Sequence, residues 1–136
     1  MSKRKIPRIT SVDFDGTLCK YKWPDIGDPN GELLYILINR RAAGEKVILW
    51  TCRTGKRLEE AVAWCHDHLL DFDAVNENLP EVIEWMGGDS RKIYADEYID
   101  DRNVMFIPRF DNEEWKTPTK EWVREPYFCS DVFNLD

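Results

Sequence analysis

Short apolar runs alternate with amphipathic stretches along this chain. Residues 9–14 read as a first strand, ending at Asp15-Gly16, a turn signal. Residues 32–43 carry a helical pattern, with Leu34, Leu37, Ile38 and Arg41 on one face and Gly44 suited to the C′ position. Residues 47–50, Val-Ile-Leu-Trp, are unbroken apolar, as in a strand buried on both faces of a parallel sheet. A second amphipathic helix is predicted over 58–70, with Leu58, Ala61, Val62, Cys65 and Leu69 on its buried side. Residues 72–75 predict a short strand, and 80–86 a brief helix stopped by Gly87-Gly88. Residues 93–100 hold one or two short strands and 104–107 another. The stretch 19–30, with Trp23-Pro24, Gly27 and Asp28-Pro29, reads as a loop or flap.

Strands alternating with helices imply βαβ units with right-handed crossovers. The expected class is α/β, a doubly wound (Rossmann-like) parallel sheet flanked by helices. At 136 residues the chain is expected to form one domain. Residues 108–136 carry no readable element. Their aromatics, Trp115, Trp122, Tyr127, Phe128 and Phe133, predict a tail packed on the core or at a subunit interface.

The formal net charge of -7 argues against non-specific binding to nucleic acid or an anionic membrane. A phosphorylated substrate stays open, because a divalent cation reverses the local sign. Four cysteines without a CxxC pair suit a reducing compartment. The basic start lacks an apolar stretch behind it, and no apolar run approaches a membrane span, so a cytoplasmic protein is expected.

The strongest chemical signal is Val12-Asp13-Phe14-Asp15-Gly16-Thr17-Leu18. Two carboxylates two residues apart sit where a buried strand ends, so both can face a pocket at the carboxyl edge of the sheet, where open α/β sheets bind ligands. Thr51 ends the second strand run, and Cys52-Arg53-Thr54-Gly55 leads into the next helix, whose N-terminus favours an anion. Thr51 alone also reads as an ordinary turn hydroxyl. Lys92 precedes Ile93-Tyr94-Ala95, and Tyr98-Ile99 ends in Asp100-Asp101. Two carboxylates ~5 Å apart repel by about 3 kcal/mol at an effective dielectric near 20, which calls for a hard cation such as Mg²⁺. Asp96 reads as a surface residue.

In that order, DxDGT, strand-Thr, Lys and strand-Asp-Asp resemble the haloacid dehalogenase (HAD) superfamily of phosphohydrolases, over residues 8 to 107. The resemblance implies Asp13 as nucleophile and Asp15 as general acid/base. It implies Thr51 and Lys92 as phosphate-binding groups. A Mg²⁺ ion would be held by Asp13, the main-chain carbonyl of Asp15, and Asp101 in preference to Asp100. Neither gap between these residues has room for a cap domain, so a capless member is implied, with 1–107 as catalytic core. Closure would then fall to the flap, the tail, another subunit or the substrate. Arg53 is the best further substrate contact, with a surface salt bridge as its other reading, and the negative cluster is expected to help protonate Asp15. Trp23 reads as a stacking partner or a packing residue, and Asn76 and Asn78 as turn residues.

The expected activity is Mg²⁺-dependent hydrolysis of a small phosphomonoester, a nucleotide or sugar phosphate, through an aspartyl-phosphate. Alternatives are a phosphotransferase or mutase of the same fold, or a non-enzymatic receiver-like domain. Receivers carry the acidic pair on the first strand, whereas here it comes late. A homo-oligomer is possible on the sequence.

Overall fold

A computed structural model of the chain describes residues 6–104. The chain divides into Met1–Asn103 and Val104–Asp136, and the description below concerns the first unit. The expected strand at 104–107 and the aromatic tail at 108–136 lie outside the described residues, apart from Val104, which is in no strand.

Four strands, β1 (Ile9–Val12), β2 (Lys46–Leu49), β3 (Ala74–Val75) and β4 (Glu97–Ile99), form a sheet in the order β3-β2-β1-β4. Every pairing is parallel. Three helices, α1 (Gly31–Ala42), α2 (Gly55–Asp67) and α3 (Pro80–Met86), connect them.

Period-two alternation sorts the strand side chains to opposite faces. Val12, Val47 and Leu49 pack with Leu34 and Leu37 of α1 and Ala61 and Cys65 of α2. Ile9, Ile48 and Ala74 pack with Val82 of α3 and with Ile93. Helices α1 and α2 therefore cover one face and α3 the other, which is a doubly wound α/β fold. The winding reverses between β1 and β4, so the topological switch point lies where Val12 pairs with Ile99.

Local chemistry sets the element ends. Asn30 caps α1 by accepting from the Leu33 N–H, while its own amide donates to the Thr17 carbonyl at 3.0 Å. Its main-chain N–H donates to the Leu18 carbonyl at 2.8 Å, so one residue ties the helix start to the loop after β1. Gly44 takes the C′ place beyond the Ala43 cap. At the other end of the sheet, Asp96 accepts from the first N–H of β1, at Ile9, at 2.7 Å. That places Asp96 at the amino edge, away from the strand ends that carry Asp13 and Asp100.

Helix α2 spans residues three positions earlier than the pattern predicts at both ends. It ends at Asp67, and Leu69 then takes a left-handed backbone with φ 70. The expected buried position is thereby handed on: Leu69 is 78% exposed and Leu70 is fully buried. Among the described residues no helix is long and apolar enough to cross a membrane.

Candidate active site

Asp13 follows the last residue of β1, and its N–H donates to the Ile99 carbonyl at 2.9 Å. On the other side, the Trp50 N–H donates to the Val12 carbonyl at 2.9 Å. Parallel register thus brings Asp13, Trp50 and Asp100 to one level, just past the carboxyl ends of three adjacent strands. Beyond Asp13 the chain turns sharply: the Phe14 carbonyl accepts from the N–H groups of Thr17 and Leu18 at 3.1 and 2.9 Å.

Gly16 makes that turn with φ +81, in the left-handed region. A Cβ there would also run into the carboxylate of Asp101. Gly16 is therefore required by its backbone and by the closeness of Asp101. Asp13, Asp100 and Asp101 each present a carboxylate oxygen, and these oxygens lie within 4.8 Å of one another. Burial, and next the charge of Asp100, push the Asp13 carboxyl up from 3.8 to about 6.

Thr17 is the buried residue that organises this cluster, and sequence reasoning gave it no role. Its hydroxyl donates to Asp13 Oδ2 at 3.1 Å and accepts from the Asp101 N–H at 3.0 Å. The signal was present: a hydroxyl two residues after Asp15, on the turn that Gly16 opens. Asp100 accepts from the Arg102 N–H at 2.9 Å.

Asp15 stands outside the carboxylate cluster. Both its oxygens are held by Arg53, Nε to Oδ2 and NH2 to Oδ1, each at 2.8 Å. The negative cluster expected to act on Asp15 surrounds Asp13 instead. Arg53 likewise differs from the expected substrate contact. Its side chain is fully buried, and it also donates to the carbonyls of Asp25 and Arg57. A buried guanidinium needs such partners, because an unpaired buried charge is costly.

Thr51 is half-buried beyond β2. Its hydroxyl accepts from the Arg53 N–H at 3.1 Å, the local turn that a strand-end threonine makes. Its N–H donates to the Asn76 side chain at 2.8 Å, and Asn76 has φ 55, so Asn76 supports the Thr51 loop from the end of β3. Lys92 is exposed, with Nζ 5.4 Å from the centroid of the Tyr98 ring. Among the described residues no ion pair joins it to Asp13, Asp100 or Asp101. Its segment is anchored by buried Asn78, which donates to Asp89 and to the Ser90 carbonyl and accepts from the Tyr94 N–H.

The flap leaves after Cys19 and returns at Pro29. Its neck is closed by Lys20 N–H donating to the Asp28 carbonyl at 2.8 Å, and Gly27 packs against the Lys20 carbonyl too closely for a side chain. Trp23, 49% exposed, lies with its ring centroid 5.0 Å from the Arg53 guanidinium carbon.

A solved structure described as that of a conserved protein coded by a locus from Bacteroides thetaiotaomicron is 40% identical to this chain. The match covers 76% of this chain and 83% of that one, with a TM-score of 0.65. The chain belongs to that protein's family. No family model and no curated protein matches it. The likeness concerns fold and ancestry, and the chemistry has to come from the residues at the switch point.

Proposed function

We propose that this protein is a divalent-cation-dependent phosphomonoester hydrolase of the haloacid dehalogenase type, with Asp13 as nucleophile. The observation that carries the reading is the convergence of Asp13, Asp100 and Asp101 at the switch point of a doubly wound sheet. The donor set fits a hard cation such as Mg²⁺. All its donors are carboxylate oxygens; burial first, and next the charge of Asp100, raise the Asp13 carboxyl, and a bound cation offsets both. Asp13, Asp100 and Asp101 would hold the ion, with the main-chain carbonyl of Asp15 as a further ligand. When bound, it would offset the charge of a phosphate dianion and withdraw electron density from the phosphoryl oxygens.

The chain's own groups divide the remaining work. An Asp13 carboxylate oxygen attacks phosphorus as the bond to the leaving oxygen breaks. Thr17 orients Asp13 by its hydrogen bond, leaving the other carboxylate oxygen to react. The Thr51 hydroxyl accepts from the Arg53 N–H and keeps its own hydrogen to donate to a phosphoryl oxygen. Lys92, whose Nζ lies 5.4 Å from the Tyr98 ring centroid, would add positive charge, and its segment is fixed by Asn78. Asp15, once it leaves the Arg53 pair, takes up a proton from solvent and gives it to the leaving oxygen. It then takes one from the water that cleaves the aspartyl-phosphate at phosphorus, returning Asp13 to its carboxylate.

The substrate proposed is a small phosphomonoester, a nucleotide or sugar phosphate; among the described residues no cap domain is inserted between the strands that carry the site. A cytoplasmic setting accords with the free thiols Cys19, Cys52 and Cys65. The test is phosphate release from a panel of nucleotides, sugar phosphates and aryl phosphates with Mg²⁺. Turnover that disappears with chelator and in Asp13→Asn is expected. Turnover unaffected by both would reject the reading.

A further inference from the structure

Arg53 is the largest fully buried side chain of the described residues. The sequence gives no reason for a buried charge there, since the position follows Cys52 in a loop and precedes a helix start. The fold spends the guanidinium on three places at once. Two nitrogens form a bidentate pair with Asp15 at 2.8 Å each. The same NH2 donates to the Asp25 carbonyl of the flap at 3.0 Å. NH1 donates to the Arg57 carbonyl in the first turn of α2 at 3.3 Å. The guanidinium carbon lies over both the Phe14 ring, in the core, and the Trp23 ring, in the flap, 5.0 Å from each centroid.

These contacts join two parts that the chain otherwise separates. The flap's neck is closed by its own hydrogen bonds, from Lys20 to Asp28 and from Asn30 to Leu18. Its tip, at Trp23 and Asp25, is seated on Arg53. Asp15 precedes the flap and offers both oxygens to the same group. A planar fork that shares one nitrogen between Asp15 and Asp25 and rests on two rings has little freedom to hold one partner while releasing the other.

We propose that Arg53 is a positioning residue that couples the flap to Asp15, so that the seating of the flap tip and the orientation of the Asp15 carboxylate change together. With the flap seated, both Asp15 oxygens face Arg53. For Asp15 to turn one oxygen toward a leaving group the fork must loosen, and loosening it also frees the Asp25 carbonyl and the Trp23 ring. Flap movement on substrate entry would thereby release the acid/base at the moment it is needed. The catalytic half of this coupling rests on the phosphohydrolase reading, whereas its structural half stands on the contacts alone.

Two measurements test the two halves. The first is backbone amide hydrogen exchange in the full chain, comparing wild type with Asp15→Asn and with the conservative Arg53→Lys. Either substitution breaks the bidentate pair. Exchange across residues 20–29 should quicken by about tenfold or more, while the sheet amide of Trp50 keeps its wild-type rate. Unchanged flap exchange in Asp15→Asn would overturn the coupling. So would an equal rise at Trp50, which would make Arg53 a general stabiliser. Should Arg53→Lys fail to fold, Asp15→Asn, altered only at a half-buried position, decides the point.

The second measurement uses Trp23→Ala, which leaves Asp15 and Arg53 in place, with p-nitrophenyl phosphate and phenyl phosphate as probes in the presence of Mg²⁺. Phenolate is the poorer leaving group and depends on the acid. Its kcat should change by about tenfold more than that of p-nitrophenyl phosphate. Equal effects on both would overturn the link between flap and acid. If wild type hydrolyses neither probe while flap exchange still responds to Asp15→Asn, the phosphohydrolase reading fails for these esters and the structural coupling stands.

Discussion

The hydroxyl of Thr17 donates to Asp13 Oδ2 at 3.1 Å while its own oxygen, Thr17 Oγ1, accepts from the Asp101 N–H at 3.0 Å. One buried side chain therefore ties the Asp13 carboxylate to the main chain at Asp101, adding to the register that already pairs the ends of β1 and β4.

Thr17→Val keeps the shape of the side chain and removes both hydrogen bonds. It should lower kcat by about tenfold or more and raise the Mg²⁺ concentration needed for half-activation, in line with about 1–3 kcal/mol for an unmade bond to a charged group. Thr17→Ser should retain most of the activity. Magnesium titrations of phosphate release compare the three proteins; equal activation curves for wild type and Thr17→Val would remove Thr17 from the site.

Gly16→Ala meets two obstacles, the left-handed φ of +81 and the Asp101 carboxylate lying against the new Cβ. The backbone term alone costs about 1–2 kcal/mol. Displacement of Asp101 adds a functional loss that a purely local strain would lack. Thermal melts should show a lower Tm, and Mg²⁺ should protect Gly16→Ala less than wild type. An unaltered metal-induced rise in Tm would separate Gly16 from the carboxylate cluster.

The proposed nucleophile should also be a stability liability in the absence of metal. The Asp13 carboxyl is raised from 3.8 to about 6, by burial first and by Asp100 next. The folded state thus holds this proton more tightly than the unfolded state. Stability contributed here is full below the lower of these values and falls as pH rises through the window between them. At neutral pH the charged form is disfavoured by about 1 kcal/mol, because water still screens this half-buried group. Asp13→Asn, melted in chelator, should therefore gain on wild type as pH rises across that window and keep the advantage above it. A Tm difference independent of pH would contradict this account of the cluster.

Much of this architecture is legible in the sequence, for a physical reason. Solid apolar runs such as Val47-Ile48-Leu49 have few places to go except a sheet covered on both faces, and Ile48 does pack opposite to its two neighbours. Helix α3 matches its expected bounds, since Pro80 and Gly87 mark both ends. The α2 boundary was harder to read. Periodicity continues through Leu69, and only the backbone reversal at that residue hands burial to Leu70.

At the site, strand-end position together with the motif order that resembles the haloacid dehalogenase superfamily singles out Asp13, Asp100 and Asp101, and parallel register brings them together. The destination of Arg53 was not legible. Position next to Thr51 and a helix start favours an outward, anion-facing side chain. What turns it inward is a long-range partner, Asp15, 38 positions earlier. Thr17 was passed over because a hydroxyl after Asp-Gly looks like an ordinary turn residue until β4 is seen to deliver the Asp101 N–H to it.

The central claim is that Asp13 becomes phosphorylated. Asp15→Asn removes the group that activates water, so an intermediate formed with p-nitrophenyl phosphate and Mg²⁺, whose leaving group needs no acid, should accumulate. Peptide mapping by mass spectrometry after an acid quench should find the phosphoryl group on Asp13, and chelator should abolish it. A protein that hydrolyses phosphomonoesters while Asp13 stays unmodified in Asp15→Asn, or that carries the group on a different residue, would contradict the account.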